Sequence, residues 1–306
     1  MLRAIALCAL IQACTARPLL IDGISFNNEP MAFMRFDYLY DTVDYFLLSE
    51  SEFTQRGERR ILPSEQTHHL LAPYEDKILR VNVNYTGFDQ TSWRREVHQR
   101  DVIAHTALEL FPSQPFILVI ADADEVPERA NYQLLRGMYD ELSTHRVHFH
   151  TQLFYYSFEW FALDIRDHRS LLIWQHTYAV NDKLLRASER KHSFTADMRY
   201  SSPGSGHTAV PMVGGWHCSA CMSPERISEK SRSFAHTEYP VVSIEWARHC
   251  MANGVDLFNR SNVRFSRNDH AETTFPYCGG CKTLAEWIEI IPTEDHLHGE
   301  NPSVSP

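Results

Sequence analysis

The sequence predicts an α/β fold: one domain with a largely parallel central sheet flanked by helices. Three observations point there. The first 50 residues read strand, helix, strand, which implies a parallel pair with a crossover helix. The run Phe116-Ile117-Leu118-Val119-Ile120-Ala121 is continuously apolar and β-branched, which suits a strand buried on both faces. The chain has 306 residues, 43% of them hydrophobic, enough to bury a large core.

Taken in order, Pro18 to Ile24 is the first strand. Asn27 and Asn28 can cap the following helix, with Pro30 near its first turn, and Met31, Met34, Tyr38 and Leu39 recur at helical spacing. Val43 to Leu48 is a second buried strand ending in Ser49-Glu50-Ser51. Residues 52–76 are polar, with Gly57, Pro63 and Pro73, and read as an irregular surface connection. Ile78 to Val83 is a third strand. Ser92 caps a helix that ends at Phe111 before Pro112, with Trp93, Val97, Ala104, Ala107, Leu108 and Phe111 on its buried face. A helix over Asn131–Leu142 follows the Phe116 strand. Val147 to Phe161 is β-prone and crowded with aromatics, as a core strand or a sugar-stacking platform would be. No internal repeat or low-complexity block occurs.

The Phe116 strand breaks into Asp122-Ala123-Asp124-Glu125-Val126-Pro127. In open α/β sheets ligands bind at the carboxyl ends of strands. Carboxylates gathered there repel one another, and a hard divalent ion that also holds a diphosphate is a natural reason to collect them. The alternative is a solvated acidic turn capping the next helix. Arg100, four residues after Glu96, either pairs along its helix or binds an anionic ligand.

The net charge of −10 does not suggest a nucleic-acid partner. Residues 1–16 combine Arg3, a short apolar run and small residues around Ala16, as in a signal peptide or a truncated anchor. Residues 17–268 form the expected domain, and 269–306 an extension that turns polar and is partly disordered.

Of seven cysteines, four form Cys218-x-x-Cys221 and Cys278-x-x-Cys281. Disulfides suit an oxidising compartment, a four-thiolate zinc site remains open, and five cysteines beyond residue 17 leave an odd one. His217 lies between Trp216 and Cys218 in what reads as a Gly-rich turn after Gly214-Gly215. It could complete a metal shell with Asp122 and Asp124, or bond to backbone as a buried histidine.

Several stretches together resemble one family. They are Phe26-Asn27-Asn28-Glu29, Arg35-Phe36, Asp41 to Phe46, Glu50-Ser51, Asp122 to Pro127, Gly215 to Cys221, Phe234 to Glu238, and Cys250 with Gly254 to Phe258. In order and spacing they resemble glycosyltransferase family 17, the β-1,4-mannosyl-glycoprotein 4-β-N-acetylglucosaminyltransferases. The resemblance implies a GT-A-type nucleotide-sugar domain, a divalent metal such as Mn2+, and UDP-N-acetylglucosamine as donor. The implied acceptor is the β-linked mannose of an N-glycan core, and the implied location the secretory pathway, at the Golgi. Asp122 and Asp124 would then hold the metal and diphosphate, with His217 as a further ligand. Glu50 would meet the nucleoside and Arg100 the donor. Glu125 would be the general base or a brace for the metal site. Rival readings are a transferase using another sugar nucleotide or acceptor, and a lectin-like module without catalysis.

Overall fold

The computed structural model describes residues 17–85, 91–164, 166–188, 194–200, 208–277 and 280–293. Residues 1–16 and the last part of the expected C-terminal extension lie outside them. Among the described residues no helix is long and apolar enough to cross a membrane.

Four parallel strands make the first half of one sheet: β1 (Leu19–Ser25), β2 (Tyr45–Glu50), β3 (Ile78–Asn82) and β4 (Phe116–Asp122), in the order β4-β1-β2-β3. Successive side chains of a strand point to opposite faces, and each face here has its own core. Leu20, Ile24, Phe46, Leu48, Ile117 and Val119 pack with Phe33 and Phe36 of α1 (Pro30–Leu39). Ile21, Leu47, Leu118 and Ile120 pack with Ile103, Ala104 and Ala107 of α2 (Ser92–Leu110). Two cores explain why these strands are apolar throughout instead of alternating. At Gly23 a Cβ would lie 2.4 Å from Ile103 Cγ2, so only glycine lets α2 sit this close to β1.

The second half corrects the expectation of a largely parallel sheet. β9 (Tyr178–Asn181) runs antiparallel to β4 and also to β6 (His145–Tyr155). β6 turns through Tyr156 into the antiparallel β7 (Ser157–Ala162), while β8 (Ile173–Trp174) also pairs with β6 and β11 (Phe265–Arg267) with β7. β10 (Thr208–Ser219) runs parallel to β6 and carries β5 (Glu125–Pro127), antiparallel, on its other side. The sheet is therefore mixed. Short connections such as the one at Tyr156 force antiparallel neighbours, whereas parallel ones need long crossovers.

Other elements are shorter or more ordered than the sequence suggests. The helix expected over 131–142 is α3 (Arg129–Leu135), followed by tight 3₁₀ turns. The N-cap of α2 is Thr91, not Ser92. The connection over 52–76 is not all surface: it forms helical turns over 63–74 and buries Ser64, Thr67, Leu71 and Tyr74. α4 (Asp182–Ser188) and α5 (Phe194–Tyr200) follow β9. After β10 come α6 (Pro224–Ser233) and α7 (Ile244–Asn253), over a third core that includes Tyr156, Met222, Ile227 and Leu257. In the expected aromatic run, Phe149, Phe154, Tyr156 and Phe158 are buried, so most of it is core.

The described part of the 269–306 segment packs on the domain. Trp287 of α8 (Leu284–Ile290) stacks on Phe33 at 4.9 Å between ring centres. Phe275 packs against Tyr38 and Trp216, and the Trp216 indole donates to the Thr274 carbonyl at 2.8 Å.

Candidate active site

The acidic turn after β4 is fixed from behind. Asp22, wholly buried in β1, accepts two bonds of 2.6 Å from the Arg35 guanidinium and a third of 2.6 Å from the Tyr132 hydroxyl. Arg35 also donates to the carbonyls of Asp122 and Glu125, so it ties α1 to the turn. Two-pronged pairing of this kind is what offsets the cost of burying both charges.

β10 fixes the turn from the side. His217 lies opposite Glu125 in the ladder, and the Cys218 amide donates to the Asp124 carbonyl at 3.0 Å. Gly214 and Gly215, with φ of 121° and 125°, sit at a break in the β10 register. A Cβ on Gly215 would lie 2.5 Å from the Val126 carbonyl oxygen, so glycine is required for this approach. The pair therefore marks a close strand contact, not the turn that the sequence suggests. A Cys218–Cys221 disulfide closes the end of the strand. Cys281 is also disulfide-bonded, and Cys278 lies outside the described residues. Cys250 is a free buried thiol, pushed up to about 11 by burial.

The three acids have three different settings. Glu125 is wholly buried and accepts from Trp174 Nε1 (2.5 Å), Thr177 Oγ1 (2.7 Å), Arg199 (2.7 and 3.1 Å) and the Asp122 amide (3.1 Å). Burial alone would raise its pKa, but Arg199 holds it far below the usual carboxylate range. Asp122 is gripped by two guanidiniums, Arg100 at 2.7 Å and Arg199 at 2.6 Å. Arg100 also pairs with Glu96 at 2.8 Å, as its helical spacing suggests, and lines the cavity.

Asp124 is bound more loosely. His217 Nε2 and Lys230 Nζ each approach its carboxylate at 3.6 Å. Burial works against its charge, yet Lys230 and His217 hold it down to about 2. The same lysine binds Glu29 at 2.6 Å. One ammonium thus serves two acids, and Glu29 is raised, by burial first and by Asp124 and Asp122 in addition. His217 Nδ1 is buried with no hydrogen-bond partner, and its ring lies 4.7 Å from that of Trp174.

These groups open on one cavity of about 380 Å³. Asp122, Asp124, Arg100, His217 and Lys230 line it. So do Ser25 at the carboxyl end of β1, Asn27 and Arg60, and the aromatic Tyr155, Phe234, Tyr239 and Phe258. Four of the residues proposed from sequence therefore meet in one place, and two do not. Glu125 lies behind the wall. Glu50 does not line the cavity: its two oxygens accept from the Ser64 amide and hydroxyl (2.8 and 2.6 Å) and so cap the turn at 63–66. Lys230, Arg199 and Trp174 are site residues that sequence reasoning missed, and Glu29 appeared only within a matching stretch.

Among the described residues no three His, Cys, Asp or Glu side chains form a metal cage. A hard divalent ion can be held by one or two carboxylates, with the rest of its shell from water and diphosphate. Asp124, with the Nε2 of His217 beside it on the cavity wall, fits a site of that kind.

Comparison with known proteins bears on the family. Over 239 residues the chain is 29% identical to β-1,4-mannosyl-glycoprotein 4-β-N-acetylglucosaminyltransferases of Rattus norvegicus and Homo sapiens, covering 72% of this chain. The match spans 43% and 44% of those proteins, less than half their length. Among solved structures, a CMP:2-keto-3-deoxy-manno-octonic acid synthetase complexed with CTP is 9% identical, with 65% of this chain and 91% of that one covered and a TM-score of 0.35. A glycosyltransferase involved in glycosylating the major capsid of PBCV-1 is 11% identical, with 64% and 82% covered and a TM-score of 0.31. Scores this low do not define a shared fold. The family model for glycosyltransferase family 17 matches residues 6–266, from before β1 to within β11, and the chain belongs to that family.

Proposed function

We propose that this chain is an inverting, metal-assisted glycosyltransferase. It moves N-acetylglucosamine from UDP-N-acetylglucosamine to the β-linked mannose of an N-glycan core. The observation that carries this reading is the convergence of Asp124, His217, Lys230 and Arg100 on one cavity at the carboxyl end of β4, in a chain of this family. The relatives' names supply the donor sugar and the acceptor.

Asp124 and His217 are the residues that would hold the metal. A divalent ion there neutralises charge on a departing diphosphate. Lys230 stays protonated, because Glu29 and Asp124 outweigh its burial, and it adds fixed positive charge beside the same groups. Arg100 and Arg199 place two more guanidiniums at Asp122. Glu125 is read as a brace. Its oxygens are filled by donors and its proton affinity is too low for a base working near neutral pH. Glu29 faces the cavity with a raised pKa and is the acid best matched to take the acceptor proton.

The test is transfer itself. Purified protein, UDP-N-acetylglucosamine, Mn2+ and a panel of mannose-containing glycans should give a product heavier by one N-acetylglucosamine, and chelation of the metal should stop it. Transfer of a different sugar in preference, or undiminished transfer in chelator, would overturn the donor or the metal part of the reading.

A further inference from the structure

His217 lacks the hydrogen bond that usually orients a metal-binding imidazole. Such rings commonly donate their second nitrogen to a carboxylate or a backbone carbonyl, which fixes how the ring is turned. Here Nδ1 is buried without a partner, and Nε2 approaches Asp124 only at 3.6 Å. The χ2 well of a histidine is broad, so packing has to choose the ring's orientation. Among the described residues, the ring that packs on this imidazole is the Trp174 indole, 4.7 Å away at 55°.

The indole is itself held. Trp174 ends the two-residue strand β8, opposite Thr151 of β6. Its Nε1 donates to Glu125 Oε1 at 2.5 Å, and its ring meets that of His176 at 4.4 Å and 75°. His176 Nδ1 lies 3.2 Å from the Arg199 carbonyl, and Arg199 grips both Glu125 and Asp122. Glu125 has Thr177, Arg199 and the Asp122 amide as donors without the indole. The bond from Trp174 is therefore not needed to satisfy the carboxylate, and what it settles is the place of the indole.

From this we infer that Trp174 is the positioning residue for His217. Buried Glu125 aims the indole, and the indole sets the turn of the imidazole beside Asp124. The inference rests on the reading of His217 as a ligand of the divalent ion and deepens it. It also gives Glu125 a route to the site: the carboxylate acts on His217 through the indole, with no direct bond to the imidazole.

Trp174 is half-buried and lines the cavity, so it can also stack on a bound ligand directly, and the experiment separates the two roles. Trp174→Leu and Trp174→Phe are compared with the unmodified chain and with His217→Ala. Crystal structures of the metal-free variants report the orientation of the imidazole. Calorimetry gives the UDP Kd in chelator and the Mn2+ concentration that half-maximally tightens it. Trp174→Leu removes both the flat ring and the Nε1 donor. It should leave His217 in more than one orientation and raise the Mn2+ midpoint about tenfold or more, with the UDP Kd in chelator unchanged within about twofold. Trp174→Phe keeps a flat ring but loses the tie to Glu125, and should raise the midpoint about threefold. It carries the same comparison alone if Trp174→Leu does not fold. A single unchanged imidazole orientation with an unchanged midpoint would overturn the inference. So would weaker UDP binding in chelator with His217 unmoved, which would assign the indole to stacking on the donor. A displaced imidazole with a midpoint indifferent to Trp174→Leu and to His217→Ala would leave Trp174 as the positioning residue and remove His217 from the metal. A midpoint raised by His217→Ala, with His217 unmoved in Trp174→Leu, would do the reverse.

Discussion

Two acid–base groups sit back to back at the end of β4. Behind the acidic turn, Asp22, Arg35 and Tyr132 are wholly buried, and the carboxylate is filled by short bonds. In front, Asp124, Lys230, Glu29 and His217 line or border the cavity. Their contacts to Asp124 are longer, and one imidazole nitrogen is left without a partner. Both groups are largely buried, so burial does not tell scaffold from site. What separates them is unused bonding capacity that faces open space.

The largest test of that contrast is Arg35→Ala. It leaves Asp22 charged and unpaired in the core and should cost about 3–5 kcal/mol in urea unfolding, enough to leave much of the protein unfolded when warmed. A loss below about 1 kcal/mol would mean that the rear group is not a scaffold. Asp124→Asn should do the opposite: fold, but lower transfer by about a thousandfold and remove the Mn2+ dependence of UDP binding. Unchanged Mn2+-dependent UDP affinity in calorimetry would break the assignment of Asp124.

Glu29→Gln tests the acid on the other side of Lys230. Burial raises the proton affinity of Glu29, so its charge is not a source of stability at neutral pH. The variant should keep or slightly raise the urea midpoint while turnover drops about a hundredfold. Equal turnover would return the search for the base to other cavity acids.

The smallest expected effect concerns pH. Asp124 is held down to about 2 in the folded chain against 3.8 for an unperturbed aspartate, so between those values the unfolded state binds more protons. Its contribution, about 2 kcal/mol, is present above pH 4 and is lost as pH falls toward 2. Urea midpoints measured from pH 5 to 2 should show that decline, and Asp124→Asn should flatten it.

Much of this was legible in the sequence, and the misses have particular causes. β4 and its acidic end could be read because a strand buried on both faces leaves an unbroken apolar run that stops where the acids begin. The same strand-end reasoning failed at Glu50, because the turn at 63–66 folds over that end and uses the carboxylate as its cap. Strand direction in the second half was hidden, since β5 and β9 have only three and four residues and direction is set by distant partners. Gly214-Gly215 looked like a turn because glycine signals positive φ without saying whether the chain reverses. Lys230 and Arg199 lie on short helices rich in polar residues, and only the tertiary fold brings them to the acids.

The Trp216 anchor carries a consequence for how such chains change over time. Trp216, next to His217, is held by Phe275 and by the Thr274 carbonyl, both beyond residue 266 where the family match stops. A segment beyond the family match thus supports a residue adjoining the site. Substitutions around Thr274 and Phe275 should then be tolerated mainly in company with changes at Trp216 or Tyr38. Relatives whose tails diverge are expected to differ at those positions together, even where Asp122, Asp124 and His217 stay the same.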